Sequence, residues 1–405
     1  MCDLKEQILN LARDIHPRLC NLSDAIYARP ELGFEEHFAA KSHLELLRDE
    51  GFSIEEGICD LPTAFRATYK SDKPGPTIAY MAEYDALPGI GHGCGHNILG
   101  ASSTGAAIVL RHLVDDLGGT VILLGTPAEE TSGAKVTMAE AGLFADIDAA
   151  LIAHPDTCYK PSGKSLALQP IAFEYFGRTA HAAADPEKGI NALDAAILTF
   201  NNINALRQHI PSSARIHGII RHGGEAANIV PEHAKSEFYV RATTKKIALE
   251  LLEKVIHCAE AGALAAGATM THYPYELAYD DMVTNETLNE LFVDAIRLYS
   301  EDPIADAEGG GGSIDAGNVS HATATIHGYF PIADHPIAGH TREFAEASIS
   351  DYAHEKLREI VAILAHTGAR LLKEPKVLAA VRAEYDAQVA SGAIIPPSSH
   401  EKSPR

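Results

Sequence analysis

TIAYMAEYDALPGIGHGCGHNILGASSTGAAIVLRHLVDDLGGTVILLGTPAEE (77–130), followed by AALIAHP (149–155), decides the fold. TIAYMAEYD (77–85), TVILLGTPAEE (120–130) and AALIAHP each open on an apolar run of strand length. ILGASSTGAAIVLRHLVDDL (98–117) reads as a helix between the first two, and residues 135–143 as another before the third. Apolar strands alternating with helices predict an α/β layer with a mainly parallel sheet flanked by helices. In such sheets ligands bind beyond the carboxyl ends of the strands. All three runs end in polar groups: Glu83 and Asp85, then Glu129 and Glu130, then His154. That convergence is the first functional signal.

Working outward, the first fifty residues read as helix, loop, helix, with Leu4, Ile8, Leu11, Ile15 and Leu19 at helical spacing and a second amphipathic stretch over Glu36–Arg48. Between 166 and 282 the pattern changes. ALQPIAFEYFGRTAH, SARIHGIIRHGG and HAKSEFYVRATT read as short strands, and NALDAAILTFNNINALRQ and IALELLEKVIHCAEAGALAAG as helices. This predicts an inserted α+β domain at 166–282 within a discontinuous domain of 1–165 and 283–390. The second part holds a helix at TLNELFVDAIRLYS, a strand at HATATIHGYFP and a long helix over 343–372. Residues 391–405, ending IIPPSSHEKSPR, are expected to form a disordered tail.

Composition narrows the function classes. The chain has 405 residues, 46% hydrophobic and 22% charged, and a formal net charge of −22. So acidic a surface repels phosphate backbones and anionic lipid, which argues against nucleic-acid and membrane partners. No apolar run is long enough to cross a bilayer. The start MCDLKEQILNLARD does not read as a signal peptide, and the six cysteines show no paired disulfide spacing. A cytoplasmic, reducing location is expected.

The chemistry-bearing residues are concentrated in a few motifs. In HGCGHN (92–97), Cys94 and His96 flank one glycine and can aim two donors at one ion. Alternatively they are a buried thiol and a capping imidazole. In TPAEE one carboxylate can ligate a metal while its neighbour takes a proton from water; the alternative is a solvated acidic loop. His154, in AHP, and His340, in GHTREF (339–344), are individually weaker candidates, and Thr341 is placed to cap the following helix. EGGGGSIDAGN (308–318) lacks the Lys-Ser/Thr of a phosphate loop and reads as backbone lining a substrate cleft, with Gly311 as its candidate contact. Arg241 either binds a substrate carboxylate or pairs with an acid on its own sheet face.

Taken together, YARPELGFEE, YDALPGIGHGCGHN, TPAEETSGAK, AHP, GRTAHAA, HGGEAANIVPE, GGSIDAGNVSH and GHTREF resemble a known family. It is the dinuclear-metal amidohydrolases of metallopeptidase family twenty, clan MH, which include aminoacylase and carboxypeptidase G. Within it the chain is most similar to the subgroup of auxin-conjugate hydrolases, aminobenzoyl-glutamate hydrolase and β-alanyl-lysine dipeptidase. The resemblance implies two divalent metal ions, Zn²⁺ or Mn²⁺ with Co²⁺ also accommodated, on Cys94, His96, Glu130, His154 and His340. It implies Glu129 as general base and Asp85 as the group orienting a ligand imidazole. Many members carry His where this chain has Glu83, which is then either a supplementary ligand or structural.

The resemblance further implies that the insertion is a lid and dimerisation domain whose His181 and Asn228 serve a partner's site in a homodimer. The expected reaction is hydrolysis of the amide of an N-acyl amino acid or dipeptide-like substrate. The alternatives are a non-catalytic metal- or ligand-binding relative, and amide formation by the reverse reaction.

Overall fold

A computed structural model describes residues 2–307, 309 and 311–397. The chain opens with helices α1 (Cys2–Ala28) and α2 (His37–Asp49), then β1 (Ser53–Glu56), β2 (Phe65–Lys70), β3 (Thr77–Ala82), α3 (His96–Leu117), β4 (Thr120–Gly125), α4 (Ala134–Glu140) and β5 (Ala149–Asp156). Next come β6 (Ala167–Phe176), α5 (Ala192–Leu206), β7 (Arg215–His222), β8 (His233–Ala242), α6 (Lys245–Ala266) and β9 (Thr269–Tyr273). The chain then continues with α7 (Glu286–Tyr299), α8 (Ala316–Ser320), β10 (Thr325–Pro331), α9 (Arg342–Ala347), α10 (Asp351–Lys373) and α11 (Pro375–Ser391).

Two compact units result. One comprises the residues up to Lys164 and from Met282 onward; the other is Ser165–Asp281. In the first unit six strands form one sheet in the order β1-β2-β4-β3-β5-β10. β4, β3, β5 and β10 run parallel, as their near-continuous apolar sequences require of strands covered on both faces. The expected mainly parallel α/β layer is therefore present. α3 is buried along most of its length and packs against α1, α10 and the sheet, which accounts for a helix apolar on nearly every side.

β1 and β2 add an antiparallel edge that the sequence pattern did not announce. Both are short, and β1 is largely exposed, so neither carries a long apolar run.

The helix expected over 343–372 is two helices. α9 ends at Ala347, and the Ser350 side chain accepts the Ala353 N–H at 3.1 Å to start α10. The tail expected from 391 also begins differently. Ser391 ends α11, Ile394 is buried, and the Ile395 amide donates to His321 Nδ1 at 2.9 Å. Residues 398–405 lie outside the described residues.

The second unit is α+β. Its sheet, ordered β7-β8-β6-β9, is antiparallel throughout, and α5 and α6 pack on one face around Phe173, Tyr175, Phe238 and Val255. Tyr175 is fully buried, and its hydroxyl is satisfied by Thr199 Oγ1 at 2.8 Å.

Candidate metal centre

Because β3, β4 and β5 run parallel, their carboxyl ends open on the same edge of the sheet. Glu83 and Asp85 follow β3, Glu129 and Glu130 follow β4, and His154 lies near the end of β5. Between β3 and α3 the HGCGHN loop turns on Gly95 (φ 75°). A Cβ there would stand 2.9 Å from Pro155 Cγ, so glycine is required both by the left-handed backbone and by the close approach. His96 is the first residue of α3.

His340 reaches the same place from far along the chain. Its backbone N–H donates to Gly93 O at 2.8 Å, and the Thr341 side chain caps α9 by accepting the Phe344 N–H at 3.1 Å. His340 itself holds a left-handed backbone (φ 61°), a strained conformation for a residue with a Cβ.

Among the described residues three donor groups result, each with its ligand atoms within 4.8 Å of one another: Cys94, His96 and His154; Cys94, Glu130 and His340; His96, Glu129 and Glu130. Cys94 Sγ lies 3.4 Å from His154 Nε2, and Glu130 Oε1 lies 3.1 Å from His340 Nε2. Asp85 organises the group from below. Its Oδ1 lies 2.9 Å from His96 Nδ1, and its Oδ2 accepts the Glu130 N–H at 2.9 Å. With Nδ1 engaged there, the imidazole presents Nε2 to the cluster.

The residues present fit a cation site. His96 Nε2 and Glu83 Oε2, 3.2 Å apart, and Glu130 Oε1 are buried polar atoms with no well-aligned hydrogen bond among the described residues. Buried acceptors clustered in this way carry a desolvation cost that a coordinated cation would offset. Burial pushes the Cys94 thiol well above its usual range. Burial, and then the neighbouring carboxylates of Glu83 and Asp315, push Glu129 well above the usual carboxylate range. Burial and the His96 imidazole hold His154 below the ordinary histidine value.

Three participants were not legible as such in the sequence. Lys135, fully buried, places Nζ 2.7 Å from Glu83 Oε1 and 2.6 Å from Asp315 Oδ1. This charge environment keeps Glu83 ionised: burial would raise its pKa, but the Lys135 ammonium, together with His96, His154 and His327, lowers it to about 2. His327 on β10 stacks on His154 with ring centroids 5.6 Å apart. Lys135 and Asp315 stand in the motifs TSGAK and GSIDAGN, but nothing local marks either as buried.

His181, Asn228 and Arg241 belong to the second unit. His181 and Asn228 are exposed and adjacent there: Asn228 O accepts the Ala182 N–H at 3.0 Å, and His181 bridges Ile229. Arg241 lies on β8 with its guanidinium 5.6 Å from the Tyr239 ring centroid. Gly311 is exposed in the first unit, and among the described residues beyond its chain neighbours nothing comes within 4 Å of where a Cβ would stand.

Residues 79–362 match the family model described as Peptidase family M20/M25/M40. The chain belongs to this family. The enzyme is accordingly a hydrolase of amide bonds, of the metallopeptidase and amidohydrolase type. It is 35% identical over 407 residues to the Xaa-Arg dipeptidase of Mus musculus, covering 94% of this chain and 92% of the relative. It is 32% identical to a p-aminobenzoyl-glutamate hydrolase polypeptide of Escherichia coli (strain K12), covering 70% of this chain and 62% of that one. Among solved structures, the fold is similar to that of the Bacillus subtilis YXEP protein, described as a dinuclear metal binding peptidase from the M20 family. The TM-score is 0.63 at 23% identity, covering 88% of this chain and 99% of that one. Among the described residues, no helix is long and apolar enough to cross a membrane.

Proposed function

We propose that this hydrolase cleaves a dipeptide or an N-acyl amino acid, holding two divalent cations on Cys94, His96, Glu130, His154 and His340, with Glu129 as general base. The observation that carries the reading is the position of Glu129. Its carboxylate shares a 4.8 Å cluster with His96 and Glu130, in surroundings that raise its proton affinity. When bound, the cations would supply Lewis acidity toward the substrate carbonyl and lower the pKa of water. Glu129 takes a proton from the attacking water as its oxygen bonds to the carbonyl carbon. It then delivers that proton to the amide nitrogen as the C–N bond breaks, releasing acid and amine. Asp85 keeps His96 oriented through both events.

Cys94, His96 and Glu130 each belong to two of these donor groups, and donors overlapping in this way would suit two neighbouring cations. Mixed thiolate, imidazole and carboxylate donors suit Zn²⁺ and also accommodate Mn²⁺ or Co²⁺. The substrate class follows the Xaa-Arg dipeptidase and p-aminobenzoyl-glutamate hydrolase relatives. The proposed assembly is a homodimer in which His181 and Asn228 of the partner subunit complete each site. Exposed Ile219 and Ile220 on edge strand β7 support an interface through the second unit. Among the described residues, Cys20, Cys59, Cys94 and Cys258 are in no disulfide, which supports a reducing, cytoplasmic location.

Glu129→Gln tests the reaction. Amine release from a panel of dipeptides and N-acyl amino acids should fall by about 10²–10⁴, while elemental analysis finds the divalent ions retained. A fully active variant would remove Glu129 from the mechanism.

A further inference from the structure

We infer that Glu36, in the loop between α1 and α2, is a positioning residue for the Glu129–Glu130 pair, acting through the backbone amide of Ala128. Glu36 is fully buried, far in sequence from every donor, and its carboxylate is divided between two partners. Oε1 accepts the Ala128 N–H at 2.8 Å, and Oε2 accepts the Thr63 hydroxyl at 2.8 Å. Ala128 is the residue immediately before Glu129, and it holds a left-handed backbone (φ 60°).

A non-glycine residue keeps that conformation only when its surroundings over-determine it. Here they do so from both sides of the residue. The Ala128 carbonyl accepts the amides of Thr131, Ser132 and Gly133 at 3.3, 3.1 and 2.7 Å, closing the turn that aims both glutamates. Its N–H has Glu36 as partner, and this bond sets where the turn begins. The segment carrying Glu36 also presses on the turn directly. A Cβ on Gly33 would stand 2.4 Å from Thr131 Oγ1 and 2.9 Å from Ala128 Cβ.

The same segment, together with its hydrogen-bond partner Thr63, holds the neighbouring strand end. Tyr84, between Glu83 and Asp85, donates its hydroxyl to Thr63 O at 2.6 Å, and the Ala86 N–H donates to Glu31 O at 2.9 Å. PELGFEE is thus a latch behind two of the three strand ends, and Glu36 supplies its buried carboxylate contact to the catalytic turn. Burial pushes the Glu36 pKa up to about 7, so a neutral isostere should be tolerated near that pH. Glutamine preserves an acceptor for Ala128, and the Thr63 hydroxyl can rotate to accept from its amide. Alanine leaves the Ala128 N–H unpaired.

The inference rests on the proposed reaction only in naming Glu129 and Glu130 as the groups positioned. The test compares full-length wild type, Glu36→Ala, Glu36→Gln and Leu291→Ala, the last a buried α7 control for general loss of stability. Each is titrated with Zn²⁺ in a calorimeter and assayed for kcat and KM by amine release. Glu36→Ala should bind Zn²⁺ roughly 10–100-fold more weakly. Its kcat should fall about 10²-fold with KM within about threefold, the signature of a displaced catalytic group rather than a lost substrate contact. Glu36→Gln should restore both to within about threefold, and Leu291→Ala should keep wild-type Zn²⁺ affinity.

Wild-type Zn²⁺ affinity and kcat in Glu36→Ala would overturn the inference, as would a glutamine variant as impaired as the alanine one. If Glu36→Ala does not fold, Thr63→Val removes the carboxylate's other anchor. A smaller drop in kcat in the same direction supports the role, and unchanged kcat and Zn²⁺ affinity overturn it. A wild type that releases no amine from any substrate would sink the proposed reaction instead, and the Zn²⁺ titrations would still decide the role of Glu36.

Discussion

Lys135 Nζ and Asp315 Oδ1 lie 2.6 Å apart, and both side chains are sealed from solvent. Glu83 Oε1 completes the cluster at 2.7 Å, so one ammonium serves two buried carboxylates beside the donor groups. The cluster therefore carries excess negative charge, which favours cations nearby and makes the lysine hard to remove.

Lys135→Met should accordingly destabilise the fold by about 3–5 kcal/mol, the usual consequence of deleting one partner of a buried ion pair. The methionine fills similar space, so the loss reports the two uncompensated carboxylates rather than a cavity. Urea unfolding of the metal-free protein measures it. A midpoint equal to the wild type's would show that Glu83 and Asp315 do not need the ammonium.

The protein should lose stability on mild acidification through histidines buried in the neutral form. Burial holds His43 down to about 3, with Nδ1 2.8 Å from Thr104 Oγ1. Burial, then nearby Arg370, holds His366 down to about 4. Each folded pKa lies below the unfolded value near 6.5, so the unfolded chain takes up protons first. The stabilisation is present above pH 6.5 and drains away as pH falls toward the folded values. For His43 alone the loss between pH 7 and pH 5 should be about 2 kcal/mol. Urea midpoints for wild type and His43→Gln at those two pH values check it. Equal pH dependence in the two proteins would mean that His43 is protonated in the fold.

Shared sites predict recovery on mixing. His181→Ala and Glu129→Gln should each be inactive as homodimers. After subunit exchange, a mixed dimer holds one site with both residues intact, so part of the activity should return. Verified mixed dimers without any recovery would show that His181 does not act in trans.

The parallel layer was already legible in the amino-acid sequence, and so were most of the candidate donors. The apolar runs at 77–82, 120–125 and 149–153 are what strands covered on both faces must contain, and that requirement is local. Glu129, Glu130 and His154 stand at or within the ends of such runs, and Cys94 and His96 in the glycine-rich HGCGHN motif that follows the first, where an α/β sheet places its ligands. Long-range packing settled the rest. Glu36, Lys135 and Asp315 are charged residues whose burial no local pattern marks. Their burial depends on partners distant in the chain: Ala128 for Glu36, and Glu83 with Asp315 for Lys135. The edge strands β1 and β2 and the break between α9 and α10 were hidden for a related reason. A short exposed strand and a serine-capped restart leave almost no hydrophobic periodicity, and it is the pairing of β2 with β4 and the Ser350 cap that fix them. Periodicity records which face of an element is covered. Which distant group meets a buried charge is set by packing and by the cost of leaving that charge unpaired.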